Sequence, residues 1–87
     1  MKRDVYSAFG SAVRTRLMMC LADQPKTVTE LMRVCKLGQS AVSQHLNKLR
    51  EARMVKVARE GRARIYELRY PQAAVISKLL LALDKEV

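Results

Sequence analysis

The apolar residues of this chain recur at helical spacing in five stretches, most of them bounded by residues that begin or end helices. Between Val5 and Val13 this spacing is interrupted by Gly10-Ser11, so we predict a short first helix and a second one with Ser11 as its N-cap. Proline disfavours helical backbone in the residue before it, so the second helix should end before Pro25.

The next two stretches have the form of a helix-turn-helix. Thr27-Val-Thr-Glu30 is a capping box, in which the Thr hydroxyl and the Glu carboxylate each satisfy a backbone amide at a helix start. A helix over about 28–35 should follow, and Lys36-Leu37-Gly38 has the length of the turn in that motif. The next helix carries one apolar stripe, at about 100° per residue, formed by Val42, Leu46 and Leu49.

Two short stretches after this helix favour strands. Residues 54–58 and 63–68 alternate in the manner of a hairpin, with Arg59-Glu-Gly-Arg62 as its tip. A hairpin that follows a helix-turn-helix is a wing. We therefore predict a mainly α fold with a small β-hairpin, a single winged helix-turn-helix domain over residues 1–87 with about five helices. Its recognition helix is predicted over residues 39–53 and its two-stranded wing over 54–68.

The last helix should begin at Pro71, where the missing amide donor costs nothing, and run nearly to the end of the chain. Its three consecutive leucines sweep about 200° of arc, more than one core can bury. A chain of 87 residues also has a small core, so a partner chain would help to stabilise it. We predict a homodimer whose interface contains Val5, Tyr6, Phe9, Ile76, Leu79, Leu80 and Leu83.

The net charge of +9, from 17 basic and 8 acidic residues, indicates a polyanionic partner. Between Arg33 and Arg69 ten basic residues face three acidic ones, which gives +7 of that +9. Double-stranded DNA is therefore the predicted partner. An enzyme is not expected, because the chain has one His, no phosphate-cradling glycine loop, no paired catalytic carboxylates and no nucleophile with an evident base.

The polar face of the predicted recognition helix carries groups that pair with base edges. Gln pairs with N6 and N7 of adenine, and Ser donates to or accepts from several bases. The alternative is a solvated helix face, but such a face would carry more Glu and Lys, which are better helix formers than Ser. We predict base contacts from the first two turns, by Gln39, Ser40, Ser43 and Gln44.

Other polar and basic residues fit the DNA backbone. Lys48, Arg50 and Arg53 are predicted to contact phosphates, although solubility alone would explain each of them equally well, and Asn47 is predicted to bind DNA from the polar face of the helix. His45 lies at the border of the apolar stripe, where it either packs with a hydrogen bond or contacts a phosphate. Three arginines on a narrow hairpin can enter or straddle a minor groove, and these are Arg59, Arg62 and Arg64.

The same charge would also suit a non-specific or architectural nucleic-acid-binding protein, which a specificity ratio near one would reveal. RNA binding is less favoured, because the few aromatic residues do not form a stacking platform. A winged helix that serves only as a protein interaction module would not need +7 on its helix and wing. The favoured function is sequence-specific regulation of transcription. We expect a repressor rather than an activator, and one that occupies a palindromic operator.

Cys20 and Cys35 are too few for a disulfide scaffold, and a reducing compartment would keep them as thiols. They fall on neighbouring predicted helices, so they are either plain core residues or a redox pair that acts as a thiol switch. The sequence contains no apolar run long enough for a bilayer and no signal-peptide layout at its amino terminus. We expect a cytoplasmic protein without membrane association.

About three quarters of the chain resembles the ArsR/SmtB family of winged-helix repressors of bacteria and archaea. The matching segments, in order, are residues 14–17, 30–31, Gln39-Ser-Ala-Val-Ser-Gln-His-Leu46, 49–52, Val55, 60–62 and 66–68. The resemblance implies a homodimer built on the first and last helices, with the Gln and Ser side chains in the major groove and the hairpin as the wing.

Many members of that family sense metals, but their ligand positions are not matched here. Thr27 and Thr29 stand where a Cys-x-Cys would precede the Glu-Leu pair, and residues 71–87 contain no His and no Cys. Sulfur-sensing relatives pair a cysteine on the second helix with one on the last helix, and only Cys20 approximates the first, with its register off by one. The resemblance is therefore to the branch that binds no metal, and we expect no metal and no cofactor.

Overall fold

The computed structural model describes residues 5 to 87, and residues 1 to 4 of the predicted domain lie outside that part. Within it, five helices and three short strands follow one another as α1 (Val5–Phe9), α2 (Ala12–Cys20), β1 (Lys26–Thr27), α3 (Val28–Cys35), α4 (Gln39–Glu51), β2 (Val55–Glu60), β3 (Ala63–Leu68) and α5 (Pro71–Glu86). The chain folds as a winged helix-turn-helix, and the predicted fold class is confirmed.

The starts of α2 and α3 are fixed by side-chain hydrogen bonds. The Ser11 hydroxyl accepts from the backbone N–H of Arg14 at 3.2 Å and so caps α2. At the start of α3, Thr27 Oγ1 accepts from the Glu30 N–H at 3.2 Å, and Glu30 Oε1 accepts from the Thr27 N–H at 2.8 Å. This is the predicted capping box, and it satisfies two of the amides that a helix start leaves unpaired.

Helix α4, the predicted recognition helix, ends two residues earlier than predicted. Its last helical residue is Glu51, with Ala52 as the C-cap. Arg53 takes a left-handed conformation with φ of 62°, and the Met54 N–H donates to the Leu49 carbonyl at 2.9 Å. A left-handed residue after the C-cap is a common way for a helix to end, but the site usually holds glycine. An arginine there leaves no signal in the sequence.

The sheet has one strand more than predicted. Its order is β1-β3-β2, both pairs antiparallel, with Lys26 opposite Tyr66 in the first and Val55 opposite Leu68 in the second. The hairpin is also longer than predicted, because pairing continues to Glu60 and Ala63. Its tip is only Gly61-Arg62, with Gly61 at φ of 64°, the conformation that a two-residue hairpin turn requires.

The core lies between the helices and the base of the hairpin. The α4 stripe of Val42, Leu46 and Leu49 is at most 1% exposed and packs in one cluster with Leu17 of α2 and Leu31 of α3, among others. Helix α5 packs mainly against α2 and also contacts β3. This packing joins the helix-turn-helix and the base of the wing in one core and leaves the opposite face of α4 exposed.

Candidate nucleic-acid interface

The polar face of α4 is exposed along its length while its apolar stripe is buried. Each of the four residues predicted to contact bases is exposed, and so is Asn47. Ser40 and Gln44 lie one turn apart, as do Ser43 and Asn47, so they form a continuous surface of hydroxyls and amides. The predicted division of this helix into a buried stripe and an exposed polar face is confirmed.

Basic groups flank this face on both sides. At about 100° per residue, Lys48 lies on one edge of the polar face, the same edge as His45, and Arg50 lies on the other. Both basic side chains are exposed and belong to the last turn of α4, where a cation also interacts favourably with the helix dipole. A duplex groove that receives the polar face would present its two phosphate backbones to these edges.

The wing carries three exposed arginines within six residues. Arg59 and Arg64 are cross-strand partners, so their side chains leave the hairpin on the same face. Arg62 occupies the turn itself. An ion pair lies farther down the hairpin, where Lys56 Nζ is 3.7 Å from Glu67 Oε1, but both side chains are about half exposed and the pair adds little stability.

His45 is half-buried and has a specific partner. Its Nδ1 lies 3.2 Å from Arg14 Nη1 on α2. Burial, and secondly the charge of Arg14, lower the pKa of the imidazole below its ordinary value. The structure shows the first of the two predicted interactions, packing with a hydrogen bond at Nδ1, and leaves the predicted phosphate contact untested. Sequence reasoning missed Arg14 as part of this site, because the two residues are 31 positions apart.

A model of the helix-turn-helix described as "bacterial regulatory protein, arsR family" matches residues 11–57, which is more than half of the chain. The chain belongs to this family. The match covers α2 to the first residues of the wing, including all of α4. The family is one of regulatory proteins rather than enzymes, as the sequence indicated.

Two curated relatives agree with this assignment. The chain is 42% identical over 65 residues to "Transcriptional repressor SmtB homolog" of a Synechocystis species and 37% identical over 65 residues to "HTH-type transcriptional regulator KmtR" of Mycobacterium tuberculosis. Each match covers 75% of this chain, 49% of the former protein and 50% of the latter. The chain thus spans about half the length of the curated relatives it matches.

Among solved structures, the transcriptional repressor BigR from Xylella fastidiosa superposes with a TM-score of 0.81 at 28% identity. The superposition covers 92% of this chain and 82% of that protein. The structural similarity therefore extends beyond residues 11–57 to almost the entire chain.

The two cysteines of this arsR-family domain lie on neighbouring helices, Cys20 at the end of α2 and Cys35 at the end of α3. Both are free thiols, Cys35 buried and Cys20 half-buried, as expected of core residues. Arg16 Nη2 donates to the Cys35 carbonyl at 2.6 Å, and Cys35 Sγ lies 4.0 Å from the Arg16 carbonyl. Burial, followed by the neighbouring Cys20 thiol, raises the pKa of Cys35 to about 12. A thiol with that pKa is a poor nucleophile at neutral pH.

Residues 5 to 87 contain no group of three or more His, Cys, Asp or Glu side chains placed to hold a metal ion. None of the helices in the same range combines the length and apolar character required to cross a membrane.

The predicted dimer residues form an exposed apolar surface on α1 and α5. Leu79 and Leu83 are 65% and 59% exposed, and Val5, Tyr6, Ile76 and Leu80 are also exposed. Phe9 is half-buried and packs partly on the core. Val75 of α5 is absent from the predicted set but is also exposed.

A cavity of about 330 Å³ connects this surface to the end of α4, and its lining includes Val5, Phe9, Ala52, Met54 and Ile76.

Proposed function

We propose that this protein is a dimeric, sequence-specific DNA-binding regulator of transcription that represses by occupying a palindromic operator. The observation that carries the proposal is the exposed Gln and Ser face of α4, held on a buried stripe and flanked by basic residues. Membership of the arsR family supports it, since both curated relatives are described as transcriptional regulators or repressors.

In this proposal α4 lies in the major groove. The amides of Gln39 and Gln44 pair with adenine N6 and N7, and the hydroxyls of Ser40 and Ser43 contact neighbouring base edges. Asn47, Lys48 and Arg50 contact phosphates, which set affinity and register without carrying sequence information. The wing arginines Arg59, Arg62 and Arg64 reach the adjacent minor groove, whose negative potential attracts guanidinium groups.

The homodimer proposal rests on the exposed apolar surface of α1 and α5. Two leucines of this surface, Leu79 and Leu83, are more than half exposed, and their burial against a second copy of the chain would stabilise a dimer. A two-fold axis would place two copies of α4 on one side of the dimer, so the operator half-sites should lie about 10 base pairs apart or a multiple of that. We further propose that the dimer acts in the cytoplasm and needs no metal ion or cofactor.

The test is selection of bound sequences from a random duplex pool, followed by titration of the selected operator and a scrambled duplex at fixed salt. Gln39→Ala and Gln44→Ala should flatten the preference, because a bidentate base contact discriminates by about 1–3 kcal/mol. Arg62→Ala should weaken both duplexes equally. Gln24→Ala, an exposed glutamine outside α4, is the matched control. Full discrimination in both α4 variants would overturn the proposed role of α4.

A non-specific nucleic-acid-binding protein is the second candidate, and the concentration of +7 between Arg33 and Arg69 favours it. The same titration separates the two, because a ratio near one between selected and scrambled duplex at physiological salt supports the non-specific function. A thiol-switched regulator is a variant of the first proposal, and it requires oxidation of Cys20 or Cys35 to change the affinity for the selected operator.

A further inference from the structure

Arg14 belongs to α2 and contacts both α1 and the recognition helix α4. Its Nε and Nη2 donate to the Ser7 carbonyl of α1 at 3.2 and 2.8 Å, and its Nη1 lies 3.2 Å from His45 Nδ1 of α4. Two of its nitrogens therefore fix the guanidinium plane on α1, and the third is presented to the imidazole. This arrangement leaves Arg14 little freedom to turn away from His45.

The contact determines which imidazole nitrogen carries the proton. A guanidinium is always charged and has only donors, so a hydrogen bond to it requires Nδ1 to accept. A neutral imidazole that accepts at Nδ1 carries its proton at Nε2. Burial and the positive charge of Arg14 disfavour a second proton, since they lower the pKa of His45. The ring is thus neutral near pH 7, with Nε2–H as its donor.

Nε2 lies across the ring from Nδ1 and so points away from Arg14. Within residues 5 to 87 the structure gives His45 no second hydrogen bond, and Nε2 is not among the buried polar atoms without a partner. The nitrogen is therefore open to solvent on the edge of α4. Lys48, the next basic residue on that edge, is about 60° away around the helix and one turn farther along.

We propose that Arg14 is a positioning residue that holds His45 with its Nε2–H directed at a backbone phosphate of bound DNA. The inference rests on the proposed function, since it names a further contact of the same interface. The phosphate belongs to the strand that Lys48 also contacts. Because the donor is neutral, this contact adds a hydrogen bond of defined direction but releases no counterion, unlike the contact of Lys48.

The two amide substitutions of His45 separate the two ring nitrogens. The amide nitrogen of Gln reaches the position of Nε2, while that of Asn reaches only the position of Nδ1. His45→Gln should keep operator affinity within about twofold, and His45→Asn should lose about tenfold for each half-site of the operator, the usual effect of one hydrogen bond to a charged acceptor. Affinity of His45→Asn equal to that of wild type would overturn the proposal.

Arg14 is tested through the state of the ring and by its dependence on His45. The chain has a single histidine, so ¹⁵N spectra of the imidazole report one residue. The wild-type protein should contain the Nε2–H tautomer, and Arg14→Met should contain a mixture of both. Arg14→Met should weaken operator binding severalfold in the wild-type background but not in the His45→Gln background. An equal loss in both backgrounds would mean a merely structural role for Arg14.

Salt dependence gives the final discrimination. His45→Asn should lower affinity equally at every salt concentration, whereas Lys48→Met should reduce the slope of log K against log salt by about 0.9 for each protomer, or about 1.8 for the proposed dimer. A reduced slope in His45→Asn would mean that the ring binds as a cation and would overturn the proposal. Failure of the wild-type protein to bind any duplex would instead refute the proposed function, whatever the imidazole spectra show.

Discussion

Arg59 lies directly opposite Arg64 across the wing, so that two guanidinium groups share one face of the hairpin. Like charges in this relationship destabilise an antiparallel pair. Val57 and Tyr66, the next pair on the same face, lie on the core side, and Tyr66 is buried. The Arg59 and Arg64 pair is therefore expected to lower the free energy of unfolding slightly, on the part of the wing that is proposed to bind DNA.

We expect Arg64→Gln to separate stability from DNA binding. The free energy of unfolding should stay constant or rise by up to about 0.5 kcal/mol, because the repulsion is removed. DNA affinity should fall, and the slope of log K against log salt should decrease by about 0.9 for each protomer, or about 1.8 for the proposed dimer. Urea denaturation and fluorescence anisotropy measure the two effects. Lys85→Gln in α5 makes the same charge change outside α4 and the wing, and an equal loss of affinity there would contradict a specific role for the wing.

Besides Arg53, a second non-glycine residue has a left-handed backbone conformation, and it lies in the turn of the helix-turn-helix. Lys36, the C-cap of α3, has φ of 56° and ψ of 48°, a left-handed conformation that costs a residue with a Cβ atom about 1 kcal/mol. Lys36→Gly should therefore raise the free energy of unfolding by about 0.5 kcal/mol, after subtraction of the greater freedom of glycine in the unfolded chain.

Lys36→Ala is the matched control for this substitution. Alanine removes the charge and the long side chain of Lys36, as glycine does, but it keeps the Cβ atom. The left-handed backbone conformation therefore remains strained, and we expect no gain in the free energy of unfolding. A comparison of the midpoints of urea denaturation at equal m-value measures the difference. If alanine stabilised the protein as much as glycine, the effect would come from charge rather than from backbone conformation.

Features that depend on neighbouring residues could be predicted from the sequence. The Ser11 cap and the Thr27 to Glu30 capping box each involve side chains that reach an amide three residues away, and both are confirmed. The stripe of Val42, Leu46 and Leu49 follows helical periodicity and is buried as expected. These signals lie within single helices and, together with the alternation in the two strands of the hairpin, they predicted the fold class.

Features that depend on distant residues could not be predicted. Strand β1 consists of Lys26 and Thr27, too short to alternate, and exists because it pairs with Ile65 and Tyr66. The contact between Arg14 and His45 likewise requires α2 and α4 to be packed together. The early end of α4 depends on the left-handed conformation of Arg53, a residue that normally gives no such signal.

The buried thiol of Cys35 should make the stability of the protein sensitive to high pH. Its pKa is raised from 9.0 to about 12 in the folded state, so above about pH 9 the unfolded chain loses this proton and the folded chain keeps it. The contribution of Cys35 to stability is therefore complete below pH 9 and decreases as the pH rises toward 12. Cys35→Ala should show a shallower decrease than the wild-type protein over that range.

The same raised pKa predicts slow alkylation of Cys35. At pH 7.5 its reaction with iodoacetamide should be at least about a hundredfold slower in the folded protein than in urea, because the thiolate is the reactive form. Mass spectrometry of tryptic peptides, which separates Cys35 from Cys20 by cleavage after Lys26, measures this rate. Rapid alkylation in the folded state would contradict the burial of Cys35 and would favour the thiol switch.

The exposed leucines of α5 give the last prediction. In a monomer, acidic residues at Leu79 and Leu83 would be tolerated, because both positions already face water. In the proposed homodimer they would be desolvated and would face their own symmetry copies, which costs several kcal/mol. Leu79→Glu with Leu83→Glu should therefore yield a folded monomer by light scattering, with operator affinity reduced at least about a hundredfold because one half-site is lost. Lys78→Glu with Lys85→Glu places two glutamates on the same helix at exposed polar positions and should leave the mass unchanged. A wild-type protein with the mass of a single chain at the concentrations used for DNA binding would contradict the proposed dimer directly.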